Sequence, residues 1–184
     1  DMNGDGFIDG ADQWRIGKNS FPRGNYGIYA NLSYKGFSAN ILFQGATSRD
    51  MYIEDVVRGQ STGGYTMVYP YQLDYWMPDN TDAKFPRIAM NSSVNGNNNY
   101  VTSDFWLVNG RYIRLKSLQL GYDFRSVLLK NIKWLYKCQV VLSGQNLFTI
   151  SPATKYGFDP ENGSTNNYDY PMQRVYAISL NLGF

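Results

Sequence analysis

The last ten residues of the chain alternate so strictly that they limit what it can fold into. Every second side chain of residues 175–184 is large and apolar, and those between are small or polar, apart from Val175. The apolar set is Tyr176, Ile178, Leu180, Leu182 and Phe184. A period of two places the two sets on opposite faces of a β-strand. The length suits a tilted strand that crosses a bilayer, and aromatics stand at both ends of the apolar face, as in membrane barrels. The competing interpretation is a soluble sheet packed on a core.

Earlier segments repeat this alternation. Residues 25–34 and 37–44 flank Lys35-Gly36, which favours a tight reversal, and residues 112–124 carry the same pattern. Residues 138–150 alternate less well, and we expect a β-bulge there at Gly144. The side chains predicted to face lipid, besides those of the last strand, are Tyr26, Ile28, Leu32, Phe37, Ile41, Phe43, Leu118 and Leu120. The sequence therefore predicts an all-β fold with five antiparallel transmembrane strands.

Two cations interrupt the third of these strands. Arg114 and Lys116 have the parity of the apolar residues Leu118 and Leu120. A Lys or Arg at the bilayer midplane costs roughly 2–4 kcal/mol, and the cost falls towards zero near the interface. We therefore expect both cations to lie above the hydrocarbon, at the loop end of the apolar face.

The connections alternate in length, as they do in outer-membrane barrels with short periplasmic turns and long extracellular loops. Residues 35–36 and 125–137 are the shorter connections, and the second has apolar residues at helical spacing, with Trp134 and Tyr136 suited to an interfacial belt. The predicted segments are a loop at 1–24, a hairpin at 25–44, a long loop at 45–110, a strand pair at 111–150, a loop at 151–173 and a terminal strand at 174–184. This order places every long loop outside the cell.

Composition narrows the function. The chain has no His and a single Cys, Cys138, so the usual general base, metal ligand and nucleophile pairs are missing. The net charge of +2 gives no argument for nucleic acid. Asp159 and Glu161 lie two residues apart in a turn-like stretch, where nothing indicates the raised carboxyl pKa of a glycosidase. We therefore expect no enzymatic activity.

Residues 1–12 match the spacing of a calcium-binding loop. Side-chain oxygens fall at positions 1, 3, 5, 9 and 12, and Gly6 supplies the sharp turn. The predicted ligands are Asp1, Asn3, Asp5, the Phe7 carbonyl, Asp9 and Asp12. Position 12 is Asp, which is shorter than the usual Glu, and a turn loop without metal is the alternative.

Ten short motifs then appear in an order that resembles a known family. They are Asp-Met-Asn-Gly-Asp-Gly-Phe-Ile-Asp (1–9), Tyr-Lys-Gly-Phe (34–37), Phe-Gln-Gly (43–45), Tyr-Trp-Met-Pro (75–78), Ala-Lys-Phe-Pro-Arg (83–87), Ser-Asp-Phe-Trp-Leu (103–107), Tyr-Ile-Arg-Leu-Lys (112–116), Leu-Gly-Tyr (120–122), Ser-Gly-Gln-Asn-Leu-Phe (143–148) and Gly-Phe-Asp-Pro-Glu (157–161). Together they resemble the C-terminal end of SusC/RagA-type TonB-dependent outer-membrane transporters of Bacteroidetes. The resemblance covers essentially the whole chain.

The resemblance implies the last five strands of a 22-stranded barrel in the bacterial outer membrane. It also implies an N-terminal plug and a signal peptide outside this sequence, and energy passed from TonB through that N-terminal part. The expected partners are the remainder of the same barrel polypeptide, outer-membrane lipid and a SusD-like surface lipoprotein that acts as a lid. The expected cargo is an oligosaccharide or a peptide.

Five aromatics crowd residues 65–76: Tyr65, Tyr69, Tyr71, Tyr75 and Trp76. They suit contact with substrate or with the lid, but packing of the loop on itself is the favoured interpretation. A second function class also stays open. It is a soluble, calcium-dependent β-sandwich that binds glycans through these aromatics. Such a protein stays monodisperse in buffer, whereas a barrel requires detergent.

Overall fold

The computed structural model of the chain describes residues 1–7, 9–54, 69–88, 99, 101–162 and 170–184. Its strands are β1 (Asn25–Tyr34), β2 (Phe37–Ala46), β3 (Asp50–Tyr52), β4 (Leu107–Asn109), β5 (Tyr112–Asp123), β6 (Lys137–Ile150) and β7 (Val175–Gly183). One helical turn, α1 (Phe124–Val127), follows β5, and short 3-10 helices cover Gly10–Asp12, Pro70–Leu73, Asp104–Trp106 and Pro152–Tyr156. Tyr65 lies outside the described residues.

Five of the strands form one antiparallel sheet in the order β1-β2-β5-β6-β7, while β3 and β4 pair separately. Lys35 and Gly36 connect β1 to β2 with φ values of 43° and 87°. Two positive φ angles match the right-handed twist of the flanking strands, which explains the tight reversal that the sequence predicts. β2 continues to Ala46, two residues beyond the predicted end of the hairpin. No helix in the described part of the chain is long and apolar enough to cross a membrane.

The strand register gathers the side chains predicted to face lipid onto one face of the sheet, apart from Phe184, which lies one residue beyond β7. Ile28 pairs with Phe43 and Phe43 with Leu115, and at the other edge Leu142 pairs with Ile178. Paired residues share a face, so apolar rows cross the sheet. One row runs from β1 to β7 through Leu32, Ala39, Leu120, Leu142 and Ile178. This face is uncovered: Ile28 is 57% exposed and Ile178 is 74% exposed. These side chains therefore share the exposed face that contact with lipid requires, and the contact itself stays a prediction.

A bulge in β5 corrects the expected position of Arg114. Ser117 pairs with Leu42 of β2, but Leu115 pairs with the next residue, Phe43, so Lys116 is the extra residue. One inserted residue reverses the alternation beyond it. Arg114 therefore pairs with Gln44 and lies on the polar face, and the prediction that it continues the apolar row is wrong.

The expected bulge at Gly144 is also displaced. Between the pairs Leu115–Phe148 and Ser117–Gln145, β6 contains one residue more than β5. Asn146 adopts a φ of 52° inside that interval, so the bulge lies at Asn146 and Leu147. Gly144 instead leaves room for the Leu147 side chain, because a Cβ at position 144 would lie 2.6 Å from it.

The hydrophobic core lies beside the sheet, in the loops at the end where β1, β5 and β7 begin. We call this unit the loop cap: residues 50–53, which include β3, and residues 69–88, 101–110, which include β4, and 151–162. Its buried members are Met51, Ile53, Phe85, Trp106, Val108, Ala153 and Phe158. In the described part of the chain, the second sheet belongs to this cap and does not cover the apolar face. The described residues therefore form no second layer of the kind that the β-sandwich alternative requires.

Aromatic rings mark the opposite end of the sheet. The ring of Phe184 stacks on Trp134 with centroids 5.7 Å apart, and Tyr136 crosses the backbone of Gly183. The predicted helical turns in this connection reduce to α1, whose first N–H groups bond to the Asp123 carboxylate. The chain end is therefore held by stacked aromatic side chains of the type found at membrane interfaces.

Candidate functional site

An ion-pair cluster joins the polar face of β5 to the loop cap. One terminal nitrogen of Arg114 donates to both carboxylate oxygens of Asp159, at 2.7 and 2.8 Å, and the other donates to Glu161 at 2.9 Å. The Arg114 Nε donates to the Thr149 hydroxyl at 2.7 Å. Lys116 Nζ reaches the same Glu161 oxygen at 2.8 Å. The Arg114 side chain is only 2% exposed, so its charge depends on these partners.

A second arginine holds the same turn from the other side. Arg49 donates to the carbonyls of Pro160 and Asn162, at 2.5 and 2.7 Å. Burial lowers the pKa of the Arg49 guanidinium, which stays protonated because its ordinary value is so high. Pro160 lies fully buried between the two arginines. The turn at 159–162 is therefore fixed through its side chains and its backbone together.

Sequence reasoning missed this cluster because the bulge at Lys116 was not visible. A signal was present: two cations two residues apart in a strand, and two carboxylates two residues apart in a turn. Asp159 and Glu161 both form ion pairs with cations, so both carboxylates are already engaged within the protein. The geometry gives them an anchoring role.

A cavity of about 520 Å³ opens beside the cluster on the polar side of the sheet. Asn146, Thr149 and Arg174 line one side of it, and residues 157–160 line the other. The Asn146 amide donates to the Gln173 carbonyl, while its buried Oδ1 has no partner among the described residues. An orphaned acceptor and an exposed arginine suit a ligand that carries both hydrogen-bond donors and acceptors.

The predicted aromatic cluster divides between the core and the surface of the loop cap. Tyr71 packs against Phe85 and Tyr156, each at a centroid distance of 5.3 Å, and burial raises the pKa of its phenol well above the usual value. Tyr69 stacks on Tyr71 at 6.1 Å, and Tyr75 is half-buried beside Phe85. Trp76 remains 41% exposed. Of the described members, Trp76 is thus the one that presents most of its ring to a partner.

The predicted calcium ligands lie in one compact loop. The Asp1 carboxylate accepts the N–H groups of Gly4 and Gly6, at 2.6 and 2.8 Å. Asp12 accepts from Met2 and Asp9, each at 2.7 Å, which brings the ends of the loop together. In the described part of the chain, no three acidic side chains converge on a point that would hold a metal ion. The oxygen donors suit calcium, but the carboxylates are turned towards backbone N–H groups.

Hydrogen bonds from the backbone N–H groups of Asp9 and Met2 lower the pKa of the Asp12 carboxyl. The hydrogen bond from Asp9 has the larger effect. A carboxylate whose folded-state pKa is depressed stabilises the fold above its unfolded pKa and loses that contribution as the pH falls through the folded value. The Asp12 contacts therefore hold the loop at neutral pH and are lost in strong acid.

Comparison with known proteins identifies the kind of chain to which this arrangement belongs. No protein-family model matches the sequence. It is 28% identical over 198 residues to TonB-dependent receptor P3 of Formosa agariphila, covering 100% of this chain and 18% of that protein. It is 26% identical over 190 residues to TonB-dependent receptor SusC of Bacteroides thetaiotaomicron, covering 100% of this chain and 17% of that protein. This chain resembles the TonB-dependent receptors of the SusC/RagA type.

The fold agrees with this resemblance. The structure of the RagAB peptide importer in its open-open state superposes with a TM-score of 0.68 and 23% identity, over 97% of this chain and 19% of that one. The SusC-like chain spans a little under a fifth of the length of the curated relatives it matches. TonB-dependent receptors of this type are outer-membrane proteins, and the bacterial outer membrane is where this SusC-like chain is located.

Proposed function

We propose that the SusC-like chain is the C-terminal part of a TonB-dependent transporter that imports oligosaccharides or peptides across the outer membrane. One observation carries the proposal: the sheet leaves a continuous apolar face bare on five strands while its loops build a separate core. In water such a face would be an aggregation surface, whereas in a bilayer it is the surface that lipid requires.

The proposed barrel is closed by strands outside this sequence. β1 and β7 are the two edges of the five-stranded sheet. An unpaired backbone group in hydrocarbon costs several kcal/mol, and only closure of the barrel removes the edges. β1 would therefore pair with a preceding strand and β7 with the first strand of the same polypeptide, within the proposed 22 strands. The plug and the TonB contact belong to the preceding part.

The loop cap offers a surface for the proposed SusD-like lid. Leu73, Trp76 and Phe105 are large apolar side chains that stay exposed on the cap, and Phe105 packs edge-on against Trp106 at 4.8 Å. Aromatic side chains on a rigid support are typical anchors of protein interfaces. The cavity beside Arg114 lies on the polar face of the sheet and is lined in part by residues 157–160 of the loop cap. A captured oligosaccharide or peptide would enter there.

Uptake by the full-length protein tests the proposal. The receptor polypeptide that contains this chain, produced with its lid protein in outer membranes, is expected to import labelled oligosaccharides or peptides only while TonB and the proton-motive force are active. A variant lacking TonB contact provides the control for passive leakage. Recovery of the full-length protein as a monodisperse soluble species without detergent, or uptake unaffected by loss of TonB, would contradict it.

We also propose that residues 1–12 bind Ca²⁺ through Asp1, Asn3, Asp5, the Phe7 carbonyl, Asp9 and Asp12. Asp5→Asn combined with Asp12→Asn removes two formal charges, and because affinity depends on ligand charge, calcium binding to the full-length protein should weaken by roughly tenfold or more. Titration calorimetry measures the change. Asp82→Asn with Asp104→Asn removes the same charge outside the loop and should leave binding unchanged. Absence of any calcium-dependent heat in the parent protein would rule out the site.

A further inference from the structure

A second cavity lies where the apolar face meets the loop cap. Its volume is about 640 Å³, and its floor includes Tyr26, Ile113 and Ile150. The register joins these residues in a single row, because Tyr26 pairs with Gly45, Gly45 with Ile113, and Ile113 with Ile150. This row is the last of the apolar face before the loops begin, so the cavity belongs to the outer boundary of the proposed hydrocarbon zone.

The floor of this cavity has a fixed shape. The Tyr26 ring lies across Gly45, and a Cβ added to Gly45 would collide with that ring and with the Tyr112 carbonyl. The Tyr26 hydroxyl donates to the same carbonyl at 3.0 Å. The ring therefore packs against the backbone while its hydroxyl has a hydrogen-bond acceptor, and together these contacts fix it as a rigid apolar wall.

The upper edge of the cavity is cationic. Arg111 and Lys155 line it together with hydroxyl-bearing Ser48 and Ser151, and none of the described residues that line it is acidic. Arg111 stands two residues before Ile113, so it has the parity of the apolar face. Both cations are exposed, and neither forms an ion pair with a described residue. Two unpaired cations above an apolar floor match the chemistry of an anionic amphiphile.

We infer that this cavity binds the phosphate headgroup of an anionic membrane lipid whose acyl chains run down the apolar face. The inference rests on the proposed function, since the bilayer must surround the sheet and the loop end must face the outer leaflet. Arg111 and Lys155 would hold the phosphate, with the hydroxyls as further donors. A free phosphate ion would use the cations and leave the floor of Tyr26, Ile113 and Ile150 without a partner, so the lipid is the occupant that fits the whole site.

The test uses the full-length receptor in lipid nanodiscs of phosphatidylcholine that contain a minor fraction of phosphatidylglycerol. Native mass spectrometry counts each lipid that stays bound after release from the disc. The parent protein is expected to retain phosphatidylglycerol in preference to phosphatidylcholine. Arg111→Gln with Lys155→Gln should reduce this preference roughly ten- to thirty-fold, because each cation near the headgroups contributes to the attraction.

Two comparisons make the result specific. Lys130→Gln with Lys133→Gln changes the same charge at the opposite end of the sheet and should leave the preference unchanged, whereas Arg111→Lys should largely preserve it. Equal losses in both glutamine pairs, or displacement of the lipid by millimolar inorganic phosphate, would overturn the lipid site. A receptor that enters the discs but shows no lipid preference contradicts this inference alone. A receptor that stays outside the discs overturns the proposed function as well.

Discussion

Replacing Leu180 by Arg should strongly destabilise the proposed barrel. Leu180 is midway between the aromatic ends of β7 and pairs with Val140 on the apolar face. A guanidinium at the bilayer midplane costs roughly 2–4 kcal/mol. The expected result is a matching drop in the free energy of unfolding of the full-length protein in lipid vesicles, measured by urea titration of tryptophan fluorescence, together with lower yield in the outer membrane.

The neighbouring position supplies the control. Ser179 pairs with Val141 on the opposite, polar face, so Ser179→Arg places the same side chain one residue away without contact with lipid. We expect a clearly smaller loss of stability for Ser179→Arg. Equal losses for both variants, or no loss for Leu180→Arg, would show that the apolar face does not meet the bilayer.

Replacing Arg114 by Ala should release the turn at 159–162 from the sheet. The substitution leaves Asp159 without its bidentate partner and removes one of the two cations on Glu161. Breaking a buried pair on one side typically costs about 3–5 kcal/mol, because the remaining charge stays uncompensated. Limited trypsin digestion of the full-length protein measures how firmly the turn is held, because the exposed Lys155 lies on the segment that the cluster anchors. Cleavage after Lys155 should become much faster.

Compensation separates the loss of charge pairing from the loss of packing. Arg114→Met combined with Asp159→Leu and Glu161→Leu removes three of the four charges together. The triple variant should recover much of the lost protection, because the remaining cation, Lys116, is 30% exposed and can be solvated. Arg15→Ala, at an exposed arginine in the first loop, should leave the rate of cleavage after Lys155 nearly unchanged. Protection that survives Arg114→Ala intact would mean that the cluster does not anchor the turn.

The strands could be predicted from sequence because their signal is local. Alternation in β1, β2 and β7 needs no knowledge of neighbours, and Lys35-Gly36 specifies its own turn. The side chains of Ile28, Leu118 and Leu180 consequently fall on the expected common face. Local patterns of this kind survive in any tertiary context that keeps one face apolar.

The candidate site could not be predicted because it depends on register. The extra residue at Lys116 reverses the facing of Arg114, yet nothing in residues 112–123 alone marks where the alternation breaks. A bulge is decided by the pairing of two strands, so the signal is shared between β5 and β2. The burial of the aromatic residues in the loop cap could not be predicted either, because aromatic side chains suit burial and recognition equally. Tyr71 is buried because Phe85, Tyr156 and Phe158 pack against it.

The composition of the loop cap sets the order in which the molecule can assemble. Its core draws Ile53, Phe85, Trp106 and Phe158 from segments that span more than a hundred residues of chain. Contacts of such high sequence separation form only after the intervening loops have closed, and β2, β5 and β6 are the elements that close them. The cap is therefore a late folding unit that can mature only on strands already in register. A membrane-inserted intermediate with its strands paired and its cap still open to protease is the species expected to accumulate when insertion outpaces folding.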